Sequence, residues 1–194
     1  MVEGSGGTDV AIVQSWAYRE PDSVSRLIDC LVDATVIHLL RQAEAGADVL
    51  QIFDSWAGVL PDAQLERWAV RPTAEIVRRV RSTRPDIPIV VFPRGVGASY
   101  VRYAEACACA CLGLDAGVPP AWAARELQTR KVVQGNLDPM LLVVGGEAMK
   151  REATHILDCL GTAPFIFNLG HGILPQTPPD HVATLCDLVH GWRG

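Results

Sequence analysis

The chain has 194 residues, 49% of them apolar and 20% charged, with a net charge of −5. This composition is globular rather than disordered, and the length suits one domain over residues 1–194. The acidity excludes a broad nucleic-acid-binding face, which needs a basic patch.

In chain order, the opening Met1-Val2-Glu3-Gly4 reads as the tail of a strand running into the glycine-rich Ser5-Gly6-Gly7. It lacks the basic-then-apolar order of a secretory signal, so a cytoplasmic protein with reduced thiols is expected. No apolar run reaches the roughly 20 residues of a membrane span, so no membrane partner is expected. Pro21 suits the first position of a helix with Val24, Leu27, Ile28, Leu31 and Leu39 on its apolar face, and Gly46 suits its stop. Five short apolar runs follow as strands: Val49-Leu50-Gln51-Ile52-Phe53, Ile89-Val90-Val91-Phe92, Cys111-Leu112-Gly113-Leu114, Lys131-Val132-Val133-Gln134 and Phe165-Ile166-Phe167. Most are continuous rather than alternating, which predicts strands buried on both faces. Helical patterns separate them, with Ala153, Ile156, Leu157 and Leu160 on one face. A last helix opens at Pro179 and carries Val182, Leu185, Cys186 and Val189. A helix followed by five strand–helix repeats is an α/β protein with a parallel sheet. Two architectures fit: an open doubly wound sheet, and a (β/α)8 barrel, of which this length supplies only part.

In either architecture the chemistry sits at the C-terminal ends of the strands. The five runs deliver Asp54-Ser55-Trp56, Pro93-Arg94-Gly95, Asp115, Gln134-Gly135-Asn136-Leu137-Asp138-Pro139, and Asn168-Leu169-Gly170-His171-Gly172 to that rim. Asp138 before Pro139 suits a helix cap. His171 is the one histidine at a strand end; His38, His155, His181 and His190 fall in helical patterns. With glycines on both sides, His171 is a candidate proton donor or hydrogen-bond donor to a carboxylate.

Two other patterns point away from cofactors. Cys107, Cys109 and Cys111 alternate, but thiolate metal sites usually leave two to four residues between cysteines, and strand neighbours two apart lie roughly 6–7 Å apart. Buried apolar thiols are expected there, and no metal. Gly95-Val96-Gly97-Ala98-Ser99-Tyr100, with Asp115 twenty residues after Gly95, has the order of a dinucleotide fingerprint. Tyr100 stands where the third glycine belongs, so an ordinary strand–helix loop is expected.

Four segments together resemble the uroporphyrinogen decarboxylase family: Met1-Val2-Glu3-Gly4 with its glycine-rich turn; Gly46-Ala47-Asp48 through Gln51-Ile52-Phe53-Asp54-Ser55-Trp56-Ala57-Gly58; Gln134-Gly135-Asn136-Leu137-Asp138-Pro139; and Phe167-Asn168-Leu169-Gly170-His171-Gly172-Ile173-Leu174-Pro175. Phe92-Pro93-Arg94-Gly95 has a bacterial cast. The resemblance implies a partial (β/α)8 TIM barrel of about five C-terminal βα units, the N-terminal strands missing. The family's substrate-binding arginine pair, pyrrole-binding aspartate and tyrosine would lie upstream of Met1. It implies a carboxy-lyase that removes CO2 from the four acetate arms of uroporphyrinogen to give coproporphyrinogen, without metal or organic cofactor, as a homodimer. By motif, Ser55 and His171 are the implied catalytic and substrate-binding residues, and Phe53 lines the cleft. Arg94 is added as a strand-end cation facing a polyanion. Two alternatives stand beside this reading: a non-catalytic partial barrel, and a zinc-dependent corrinoid methyltransferase of the same superfamily, against which the lack of a His-x-Cys pair speaks.

Overall fold

The computed structural model describes residues 10–194. The Met1-Val2-Glu3-Gly4 motif therefore lies outside the described residues. Helices α1 (Ala11–Arg19) and α2 (Pro21–Glu44) precede β1 (Leu50–Asp54). Pro21 does open α2, because the amide it lacks would have no partner in a first turn. Gly46 follows the helix at φ +101°, a backbone conformation that a side chain would strain.

After β1 the chain forms α3 (Asp62–Leu65), a π turn (Glu66–Val70) and α4 (Arg71–Thr83) as one continuous rod. The π turn falls just before Pro72. A proline ring inside a helix presses on the preceding turn, and the wider winding makes room for it. Next come β2 (Ile89–Pro93), α5 (Tyr100–Ala106), β3 (Cys111–Gly113), α6 (Pro120–Glu126), β4 (Val132–Leu137), α7 (Pro139–Val144), α8 (Gly146–Leu160), β5 (Phe165–Leu169) and α9 (Pro179–Gly191). Asp138 caps α7, accepting a 2.9 Å hydrogen bond from the Met140 amide.

The five strands form one parallel sheet in the order β1-β2-β3-β4-β5. Leu50 pairs with Ile89, Val91 with Leu112, Leu112 with Val133, and Val133 with Phe165. These residues point to the side covered by helices. There Val77 and Val80 of α4, Tyr103 of α5, Ala123 of α6 and Met149, Ala153, Ile156 and Leu160 of α8 close the core. Burying aliphatic and aromatic side chains between sheet and helices is the main stabilising term, at roughly 25 cal/mol per Å².

The opposite face differs between the middle of the sheet and its edges. β2 and β3 are buried along their whole length, as continuous apolar runs predict. β1 and β5 are open on this face: Phe53 is 66% and Ile166 46% exposed. Among the described residues each edge strand has a neighbour on one side only, and Phe53 and Ile166 lie on the face away from the helices. One helix face also turns out differently from its pattern. The buried stripe of α2 is Val24, Val32, Val36, Leu39 and Ala43, while Leu31 faces out. The helix is long enough for the stripe to drift, and apolar spacing near its start misplaces the contact. No helix among the described residues is long and apolar enough to cross a membrane.

Candidate active site

Strand alternation decides which side chains reach the open face. In β1, Leu50 and Ile52 turn to the core and Gln51 and Phe53 to the opposite side. Ser55 continues the same alternation past the strand end. Phe92 of β2, Gln134 of β4 and Asn168 of β5 join them, and His171 and Ile173 close one end. Together they line a cleft of about 450 Å³. The Phe53 and Phe92 rings meet edge to face with centroids 6.0 Å apart and form its apolar wall. Gly113 lets the Phe92 ring lie against the sheet, for a Cβ there would sit 2.8 Å from Phe92 Cδ2.

Ser55, Phe53 and His171 thus share one cleft. Arg94 does not line it. Its exposed guanidinium lies in an adjoining depression of about 380 Å³ that shares only His171 and Gly172 with the first, and it has no hydrogen-bond partner among the described residues. His171 stands on the ridge between the two. Its Nδ1 accepts a 2.6 Å hydrogen bond from the Gly172 amide, so a neutral ring carries its proton on Nε2, free to donate.

The aspartates that end β1 and follow β3 do not line the cleft. Asp115 Oδ2 accepts from the Gly95 amide at 2.8 Å and the Tyr100 hydroxyl at 3.0 Å, and Oδ1 accepts from the Gly117 amide at 2.8 Å. The acidic residue twenty positions after Gly95 is therefore engaged by the protein's own loop amides and the Tyr100 hydroxyl. Asp54 turns away from the cleft, toward an apolar cavity of about 240 Å³ beneath α1 and α2. Burial there raises its carboxyl above the ordinary range, against the amides of Trp56 and Ala57. The Tyr103 hydroxyl, buried without a hydrogen-bond partner among the described residues, is pushed up by burial and then by Asp54.

The two glycines around His171 differ in what surrounds them. A Cβ on Gly170 would lie 2.3 Å from the Ala116 nitrogen, whereas one on Gly172 would meet nothing within 4 Å. Gly170 thus lets the β5 loop press against the β3 loop that carries Asp115. Asn136 braces the same region from below, donating from Nδ2 to the carbonyls of Val118 (2.7 Å) and Asp115 (3.1 Å).

The alternate cysteines are buried. Burial pushes the Cys107 and Cys111 thiols up to about 12 and raises Cys109 as well, and Lys131 Nζ binds the carbonyls of Cys107 and Cys109 rather than their sulfurs. Among the described residues no group of three or more His, Cys, Asp or Glu side chains is placed to hold a metal ion. Of the other histidines, His181 binds the Leu142 carbonyl at 2.9 Å and ties α9 to α7, a packing role.

Gln51 is a cleft residue that strand-end reasoning passes over. It is a polar side chain interrupting an apolar strand run, and that interruption is the signal that marks it.

The family model described as "Uroporphyrinogen decarboxylase (URO-D)" matches residues 1–192. A uroporphyrinogen decarboxylase of Rhodospirillum rubrum is 47% identical over 193 residues, which is 100% of this chain and 56% of the relative. One of Mesorhizobium japonicum is 50% identical over 189 residues, 97% of this chain and 55% of the relative. The chain spans about half the length of the curated relatives it matches. Among solved structures, a methyltransferase from Methanosarcina mazei superposes with a TM-score of 0.78 at 22% identity, covering 93% of this chain and 52% of the other, which is a likeness of fold.

Proposed function

The chain belongs to the uroporphyrinogen decarboxylase family, and we propose that its cleft works in the cofactor-free decarboxylation of the acetate arms of uroporphyrinogen. The observation that carries this reading is the meeting of Ser55, His171 and an aromatic wall in one cleft at the strand ends, on a sheet of the barrel type. A carboxylated tetrapyrrole offers matching chemistry: apolar ring faces for Phe53 and Phe92, and anionic arms for the Ser55 hydroxyl and the His171 Nε2–H.

The reaction breaks the bond between an arm's CH2 carbon and its carboxylate. The electron pair of that bond needs an acceptor, and a pyrrole protonated at carbon supplies one. CO2 leaves, a proton is added to the former CH2 carbon, the ring proton is lost, and a methyl group remains. Each cycle consumes one proton and releases one CO2. Ser55 and His171 hold the departing carboxylate out of the ring plane, so that the breaking bond overlaps the ring π system, and His171 donates a proton. Arg94, in the adjoining depression, attracts a second arm of the same polyanion. Family membership also supports a homodimer and a cytoplasmic location for the protein.

The test is anaerobic decarboxylation of uroporphyrinogen by the protein that carries this chain, followed as coproporphyrinogen. The expected result is turnover that falls at least ~100-fold in the double variant Ser55→Ala, His171→Ala. Undiminished turnover in that variant would remove both residues from the site, and absence of turnover in the unsubstituted protein would refute the activity.

A further inference from the structure

We propose that Asp115 is a positioning residue for the cleft: its carboxylate is the clasp that holds the loop of Ser55 in register with the loop of His171. The inference rests on the reading above and deepens it.

Ser55 follows β1 and His171 follows β5, so the two stand past opposite edges of the sheet. The strands fix that spacing only as far as their own ends. Beyond them the loops make a second line of contacts along the rim. The Arg94 amide donates to the Asp54 carbonyl at 3.0 Å, and the Gly58 amide donates to the Arg94 carbonyl at 3.0 Å. One residue of the β2 loop thus grips the Ser55 turn on both sides. The next residue, Gly95, donates its amide to Asp115 Oδ2 at 2.8 Å. The residue after Asp115, Ala116, packs directly against Gly170, and the neighbour of Gly170 is His171. Each joint lies one residue from the next, and the line runs unbroken from Ser55 to His171.

Asp115 is the joint that sequence alone can open. The hydrogen bonds at Arg94 join backbone to backbone, which any residue supplies, whereas the Gly95 amide is caught by a side chain. That side chain is itself locked. Oδ1 accepts from the Gly117 amide at 2.8 Å, Oδ2 accepts from the Tyr100 hydroxyl at 3.0 Å, and the Asp115 carbonyl accepts from Asn136 Nδ2 at 3.1 Å. A group held this way passes on position instead of absorbing movement. The line is also tight at its other joint, where a Cβ on Gly58 would lie 2.5 Å from the Gly95 carbonyl oxygen. Asp115 does not line the cleft, so it acts through the loops. A ligand carboxylate held by Ser55 and His171 together registers the distance between them, and a misplacement of about 1 Å costs about 100-fold in rate.

The test measures kcat and KM for uroporphyrinogen decarboxylation, with urea midpoints, on the protein carrying this chain. Asp115→Ala opens the clasp, Asp115→Asn keeps one acceptor oxygen, and Gly58→Ala forces the line apart at its other joint. Ile156→Ala, a truncation in the core beneath α8, supplies a loss of stability away from the rim. The expected result is a kcat lowered about tenfold to a hundredfold in Asp115→Ala and Gly58→Ala with KM within about threefold, and partial recovery in Asp115→Asn. Ile156→Ala should keep its kcat at a temperature where every variant is folded. Asp115→Ala with an unchanged kcat, or one lowered no further than in Ile156→Ala, overturns this inference alone. So does an unchanged kcat in Gly58→Ala, which decides the matter where Asp115→Ala does not fold, or an Asp115→Asn enzyme slower than Asp115→Ala. Absence of turnover in the unsubstituted protein overturns the inference together with the proposed activity.

Discussion

Asp115 is a carboxylate at a strand end beside a candidate active site, yet the structure spends it on three internal donors. Replacing it by alanine removes the acceptor of the Gly95 amide, the Gly117 amide and the Tyr100 hydroxyl. Gly95 and Gly117 lie on exposed loops, so water replaces those bonds and each loss costs about 0.5–1 kcal/mol. The Tyr100 hydroxyl belongs to a side chain with 0% exposure, and water does not reach it. Stranding it costs about 1–2 kcal/mol more. The sum is about 3 kcal/mol for Asp115→Ala, against about 2 for Tyr100→Phe, which leaves the two glycine amide bonds standing but also removes the hydroxyl that accepts from the Asp115 amide at 3.2 Å. The double variant should lose less than the sum, by about 1 kcal/mol, because one bond is counted in both single variants. Urea denaturation followed by circular dichroism reads this directly. With a slope of about 2 kcal/mol per molar urea, Asp115→Ala should move the midpoint down by about 1.5 M. A midpoint shift below about 0.3 M, or strict additivity in the double variant, would refute the reasoning. A variant that keeps full stability and loses turnover would show that the carboxylate acts in the chemistry instead.

Three further outcomes follow from the same packing. Native protein should expose Cys30 and Cys186 to a thiol reagent while Cys107, Cys109 and Cys111 stay silent. In the folded chain the thiols of Cys107 and Cys111 hold their protons up to about 12, whereas unfolded thiols release them from about 9. Stability is therefore intact below the lower value and lost as pH climbs between the two, by up to roughly 1.4 kcal/mol per pH unit for each thiol. Urea midpoints at several alkaline pH values measure that slope, and replacing both cysteines by alanine should flatten it. Gly170→Ala should destabilise the chain by about 1–3 kcal/mol or more and displace the loop bearing His171, while Gly172→Ala should leave the urea midpoint where it was. Equal effects of the two substitutions would contradict the close approach at Ala116.

Much of this arrangement is legible in the residues. The strand runs are legible because parallel strands in the middle of a sheet bury both faces. Val90, Val91 and Phe92 therefore stand together without a polar interruption. Ser55 and His171 are legible because their motifs are local. Other features depend on distant partners. Nothing next to Asp115 says that Tyr100 and Gly95 will close on it, since that contact forms only when two strand–helix loops meet. The direction of Asp54 follows from counting alternation through β1 rather than from its acidity. Leu31 reads as core because apolar spacing fixes a face only over a few turns, and α2 outruns that range. Gln51 is visible as an interruption, but only the sheet register turns an interruption into a shared floor. Arg94 reaches the rim as its strand end predicts, yet the loop sets it in the neighbouring depression, a distinction that no spacing rule carries.

The strand order has a consequence for how such a chain comes into being. Each of β2 through β5 pairs with the strand made just before it, so one pairing partner of each is already present when that strand leaves the ribosome. Each new strand is added at the free edge, and no pairing among the described strands has to be undone to admit a late arrival. Assembly then proceeds like courses of masonry, each βα unit laid on a finished neighbour. The newest strand is always the unprotected lip, and a pause in synthesis would leave that lip open to pairing with a stranger.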